Sequence, residues 1–160
     1  MPASRPSNYP LPAYAYVGCF TVNPGGRKTG NGNGISVYRI DRSSGAWTLV
    51  QVCAGLPHPG FLAINRSETF LYSAHGDCDQ VSSYAIDATT GKLTFLNQRP
   101  SAGHNGHHLA IDPANRYAIL DKGGGVAVFP INADGSLEPF CENVEPPYES
   151  PRGKDMERCT

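Results

Sequence analysis

The sequence predicts an all-β fold, and three observations predict it. A block of strand-forming residues recurs about every 46 positions. Eighteen Gly and 14 Pro make a fifth of the 160 residues, above the usual ~12% and suited to many tight turns. No segment carries a sustained apolar period of 3.6 residues with helix caps.

The repeat is read from three aligned stretches. These are GISVYRIDRSSGAWTLV (34–50), QVSSYAIDATTGKLTFL (80–96) and GVAVFPINADGSLEPF (125–140). Ile35, Val81 and Val126 correspond, as do Tyr38, Tyr84 and Phe129. Asp41, Asp87 and Asn132 follow, then Gly45, Gly91 and Gly135. A second block repeats as well: FLAINRSETFLYSA (61–74) against HLAIDPANRYAIL (108–120).

Each part of the unit has a physical reason. SVYRI and SSYAI combine β-branched and aromatic residues at strand length. Asp-x-x-x-Gly makes a tight turn, the carboxylate holding backbone N–H groups and the glycine taking positive φ. WTLVQV and LTFLNQ return as partner strands. FLAI and HLAI are continuous apolar runs, which predicts strands buried on both sides. The turns at Asn65–Glu68 and Asp112–Arg116 lead into FLYSA and YAIL. Four antiparallel strands at this spacing are the signature of a β-propeller blade.

The expected total is 11 strands, about 2.75 blades and an incomplete ring. AYAYVGCF, SVYRI and WTLVQV supply strands two to four of a first blade, and two full sets follow, the last ending in SLEPF. The blades should span about 13–53, 58–99 and 105–140. Residues 1–12 read as a disordered leader, and the Pro-rich, charged stretch 141–160 as an irregular tail without a strand.

Composition excludes several classes of function. Thirteen basic and 14 acidic residues give a net charge of −1, too little positive field to hold a nucleic acid. No apolar run approaches the ~18–20 residues that span a membrane. The N-terminus lacks an apolar signal segment, so the expected location is cytoplasmic. Five Cys without C-x-x-C or regular spacing predict reduced thiols. The glycine runs 30–34 and 123–125 join strands rather than opening helices, which rules out a dinucleotide fingerprint. No G-x-S-x-G elbow is present.

YVGCFT, GISVYRID, GFLAINRSETFLYSAHGD, VSSYAIDATTGKLTFLNQ, HHLAIDPANRYAIL and GGGVAVFPINADGSL resemble the seven-bladed propeller lactonases over roughly residues 14–140. That family includes the 6-phosphogluconolactonases of the propeller type and related carboxymuconate-cyclising enzymes. The resemblance implies lactone hydrolysis by attack of water on the ring carbonyl, with no cofactor and no obligatory metal, and a small sugar lactone as partner. Because the chain supplies fewer blades than a closed propeller, a second reading is carried. In it the chain is a truncated, inactive fragment serving as a binding module, or one that self-associates through open blade edges.

Lactone hydrolysis needs a base for water and a donor for the developing oxyanion. His108, at the start of the inner strand HLAI, aligns with a family histidine and is the first catalytic candidate. His75 is the second, since imidazole exchanges protons near neutrality. His58, Asn105, His107 and Lys122 lie on loops or strand ends at the expected pocket mouth and are the candidate substrate-binding residues, Lys122 together with Arg27 and Lys28 as cations for a phosphate. His104, His107 and His108 straddle a loop and a strand rather than one helix face, so no metal site is assigned.

Overall fold

The computed structural model describes residues 13–21, 30–101 and 103–145. The expected leader at 1–12, Arg27 and Lys28, and positions 146–160 lie outside the described residues.

Three antiparallel sheets follow one another along the chain. The first holds β1 (Ala13–Val17), β2 (Ile35–Ile40) and β3 (Trp47–Cys53). The second holds β4 (Pro59–Ile64), β5 (Phe70–His75), β6 (Gln80–Ile86) and β7 (Leu93–Pro100), side by side in that order. The third holds β8 (His108–Ile111), β9 (Tyr117–Lys122), β10 (Gly125–Pro130) and β11 (Glu142–Val144), again in chain order. The fold is all-β, in incomplete propeller-like blades.

The hairpin turns form as their residues require. Asp41 Oδ1 accepts the N–H groups of Ser43 at 2.8 Å and Ser44 at 3.2 Å. Asp87 Oδ1 takes those of Thr89 at 2.9 Å and Thr90 at 2.8 Å. Gly45, Gly91 and Gly135 close these turns at φ of 73°, 66° and 84°, where a Cβ is disfavoured.

Two apolar seams hold the sheets together. Ile35 and Val37 of the first sheet meet Leu71, Tyr84 and Leu93 of the second. Tyr72, Ala74 and Val81 of the second meet Leu109, Leu120, Phe129 and Leu137 of the third. Alternation along β5 sends Leu71 to one seam and Tyr72 and Ala74 to the other. Each large side chain so buried contributes about 1.5–3 kcal/mol.

The seams repeat their polar and steric contacts with the period of the sequence. Gln51 Nε2 donates to the Leu93 carbonyl at 2.9 Å, and the Leu93 N–H donates to Gln51 Oε1 at 2.7 Å. Forty-six positions on, Asn97 makes the same pair of bonds with Leu137, at 2.8 and 3.0 Å. The ring of Tyr14 fills the space over Gly91, and the ring of Phe70 fills the space over Gly135.

Three expectations are corrected. The last strand is not SLEPF: Leu137 makes a single bridge to Ile131, and its N–H and carbonyl are taken by the Asn97 amide, while Pro139 has no N–H to donate. Secondly, the stretch 141–160 is not strandless. β11 pairs with β10, Val126 opposite Val144 and Val128 opposite Glu142, so the third sheet runs past residue 140. Finally, HLAI is not buried on both sides. His108 and Ala110 are exposed while Leu109 is buried, because among the described residues no further sheet packs on that face of the third.

Candidate active site

The loops at one end of the sheets converge. Asn105, at φ of 59°, accepts the Asp77 N–H on Oδ1 at 3.1 Å. The His104 carbonyl accepts from Gly123 at 3.1 Å, and the His107 N–H donates to the Asp121 carbonyl at 2.9 Å. Gly106 lies so close to Ala74 and Leu120 that an added Cβ would stand 3.0–3.1 Å from their side chains. The turn is thus wedged into the seam and delivers the chain to β8.

His108 opens β8, the edge strand that lies against β4 of the neighbouring sheet. Its ring packs on Phe61, the repeat-equivalent residue of β4, with centroids 4.7 Å apart. Across the sheet it stands opposite Asp121 of β9. Opposite residues of an antiparallel pair share a face, so an exposed imidazole, a carboxylate and an aromatic floor come together. Asp121 was not singled out from sequence. Its signal is the register of the Asp112–Tyr117 turn, where Asp112 Oδ1 takes the Tyr117 N–H at 2.7 Å.

His75, His58 and Lys122 are not brought to this face. His75 is fully buried in the seam between the first and second sheets. Its Nδ1–H donates to the Pro57 carbonyl, which leaves Nε2 as an acceptor for Ser82 Oγ at 2.8 Å, with Ser73 Oγ at 3.2 Å. Burial pushes its pKa down, and nearby His58 adds to this, against the Pro57 carbonyl. Both ring nitrogens are engaged. Burial likewise pushes Tyr84, beside the same serines, up to about 12.

His58 is also fully buried. Its Nδ1 accepts the Thr21 N–H at 3.0 Å, its ring packs on Phe20 at 4.9 Å, and its Nε2 has no partner among the described residues. Lys122 is only 4% exposed. Alternation along β9 puts it on the opposite face from Asp121, where it packs over Gly103. His107 is exposed beside His108 and Asn105 is half-buried behind it.

A cleft of about 790 Å³ opens at the other end, lined by Tyr14, Tyr16, Arg42, Asn65, Glu68 and Asp87 among others. It contains none of the residues nominated from sequence. It lies beside β1, the edge strand of the first sheet among the described residues, where β4 and β8 stand in the other two sheets. Among the described residues, no group of three or more His, Cys, Asp or Glu is placed to hold a metal ion. No helix there is long and apolar enough to cross a membrane.

The family model for the lactonases, described as a seven-bladed β-propeller, matches residues 14–158. The chain belongs to this lactonase family. It is 33% identical over 127 residues to the 6-phosphogluconolactonase of Bacillus subtilis (strain 168), covering 77% of this chain and 34% of that protein. A candidate 6-phosphogluconolactonase of Bacteroides fragilis superposes with a TM-score of 0.76 at 25% identity, over 92% of this chain and 40% of its own. The periplasmic gluconolactonase of Pseudomonas aeruginosa shares the fold, with a TM-score of 0.69 at 24% identity over 84% of this chain and 38% of its own. The lactonase-family chain thus spans about a third of its curated relative and about two-fifths of these structures.

Proposed function

We propose that the protein hydrolyses a sugar lactone of the 6-phosphogluconolactone kind, with His108 as the general base. The observation that carries this reading is the exposed imidazole on an inner strand, opposite Asp121, in a chain of the lactonase family. The B. subtilis relative, named for that activity, supports the substrate class.

In the reaction, water adds to the ring carbonyl as His108 takes one of its protons. The tetrahedral oxyanion collapses, the ring C–O bond breaks, and the proton held by His108 passes to the departing ring oxygen. The product is the open hydroxy acid, with atoms and charge balanced. Asp121, opposite His108 across the sheet, adds a carboxylate to the face on which the water is activated. Phe61 supplies an apolar floor, and the loop carrying Asn105 and His107 borders the substrate. His58, His75 and Lys122 act within the seams, holding the loops that position this face.

The test is hydrolysis of 6-phosphogluconolactone and unphosphorylated gluconolactone, followed by acid release in a pH-stat. Wild type should exceed the buffer rate, and His108→Ala should remove the excess. Wild type at the background rate, or full activity in the alanine variant, overturns the assignment.

A further inference from the structure

The second sheet ties down His108 at both its backbone and its ring. Asn105 Oδ1 takes the N–H of Asp77, in the turn after β5, at 3.1 Å. Gly106 lies hard against Ala74 of the same strand. These contacts fix the start of β8 relative to the second sheet. Among the described residues the imidazole of His108 has no hydrogen bond, and the ring beside it is Phe61 of β4. The two centroids stand 4.7 Å apart with the planes at 51°, within the range of favourable aromatic pairs.

Phe61 is itself held. It stands opposite Ala74 and packs against the apolar seam between the second and third sheets. A bulge precedes it: Pro59 pairs with His75 and Phe61 with Ala74, so that Gly60 has no partner residue. The Gly60 N–H donates instead to the His58 carbonyl at 2.6 Å. A bulge re-aims the side chains beside it. The same two places in the repeat therefore hold an apolar pair, Phe61 and Ala74, in the second sheet, and His108 and Asp121 in the third.

We propose that Phe61 is a positioning residue for lactone hydrolysis, its ring holding the His108 imidazole in the orientation that takes the proton from water. This rests on the general-base reading of His108 given above. The third sheet then supplies the base, and the second supplies the ring that keeps it in line. An imidazole free to turn about its side-chain torsions spends part of its time away from the water. A misplacement of about 1 Å can cost on the order of 10²-fold in rate.

The test combines kinetics on 6-phosphogluconolactone with proton NMR of the full chain. Phe61→Leu keeps an apolar side chain in the seam and removes the ring. It should lower kcat about tenfold or more and leave KM within about twofold, because orientation matters in the transition state. Phe61→Tyr keeps the ring and should retain most of the rate. In a His108→Ala background, Phe61→Leu should have no further effect, since the ring acts through the imidazole. In wild type the ring protons of His108 and Phe61 should show a nuclear Overhauser effect. The ring-current displacement of the His108 protons should vanish with Leu and persist with Tyr. Circular dichroism checks each fold, and the wild-type NMR and the Tyr variant still decide should Phe61→Leu fail to fold. An absent Overhauser effect overturns the proposal, as does an equal loss in the His108→Ala background. An inactive His108→Ala beside a fully active Phe61→Leu overturns this inference alone. Wild type at the background rate, or a fully active His108→Ala, overturns the general-base reading and this inference with it.

Discussion

Ser82 Oγ lies 2.8 Å from His75 Nε2, inside the seam between the first two sheets. With Nδ1–H committed to the Pro57 carbonyl, this bond holds the ring as one neutral tautomer. The seam is therefore built around an uncharged imidazole.

Stability should fall in mild acid. Burial sets the folded pKa of His75 below its ordinary ~6.5. As pH drops through that ordinary value, the unfolded chain takes up the proton first. The contribution is thus present above about pH 6.5 and is lost towards the folded pKa. Urea denaturation at pH 7.5 and 5.5 checks it. His75→Gln should flatten this part of the profile, and an unchanged slope would count against the neutral-ring account.

The Asn97 amide satisfies both backbone groups of Leu137. Asn97→Ala leaves them buried with one remaining partner, Arg99 Nε on the carbonyl at 2.8 Å. The variant should lose about 1–3 kcal/mol, read as a lower denaturation midpoint at unchanged slope. Gln51→Ala should behave alike at the other seam.

Two glycines with the same backbone conformation should differ in tolerance. Gly135→Ala places a Cβ 2.2 Å from the Phe70 ring at φ of 84°, while Gly45→Ala meets open space at φ of 73°. The second costs only the left-handed strain of about 1–2 kcal/mol. The first adds overpacking of about 1–3 kcal/mol. Thermal melts of the two variants measure the gap, and equal losses would contradict the seam contact.

His108→Ala should lower lactone hydrolysis by about 10²–10⁴-fold, the usual contribution of a positioned general base. Asp121→Asn removes the carboxylate that stands opposite His108 across the sheet. It should lower the rate by less than His108→Ala does. Full activity in this variant would separate Asp121 from the chemistry.

Much of the fold is legible in the sequence. The turns at Asp41 and Asp87 followed from residue chemistry that acts within a few positions. The last strand did not, because an amide 40 residues away in sequence, Asn97, takes the backbone of Leu137 and defers pairing to β11. His75 and His108 looked alike as sequence, each at the end of an apolar strand. One is sealed by Pro57 and Ser82 and the other is open, since burial depends on which sheet lies across the strand.

From residues alone came the repeat, the hairpins, the all-β architecture and the likeness to lactonases, because strand propensity, turn chemistry and periodicity are local. Only the packed molecule decided which histidine faces solvent, that Asp121 shares its face, and that Lys122 turns away. Those outcomes depend on cross-strand register and on contacts between sheets, which bring together positions that spacing along the chain does not relate.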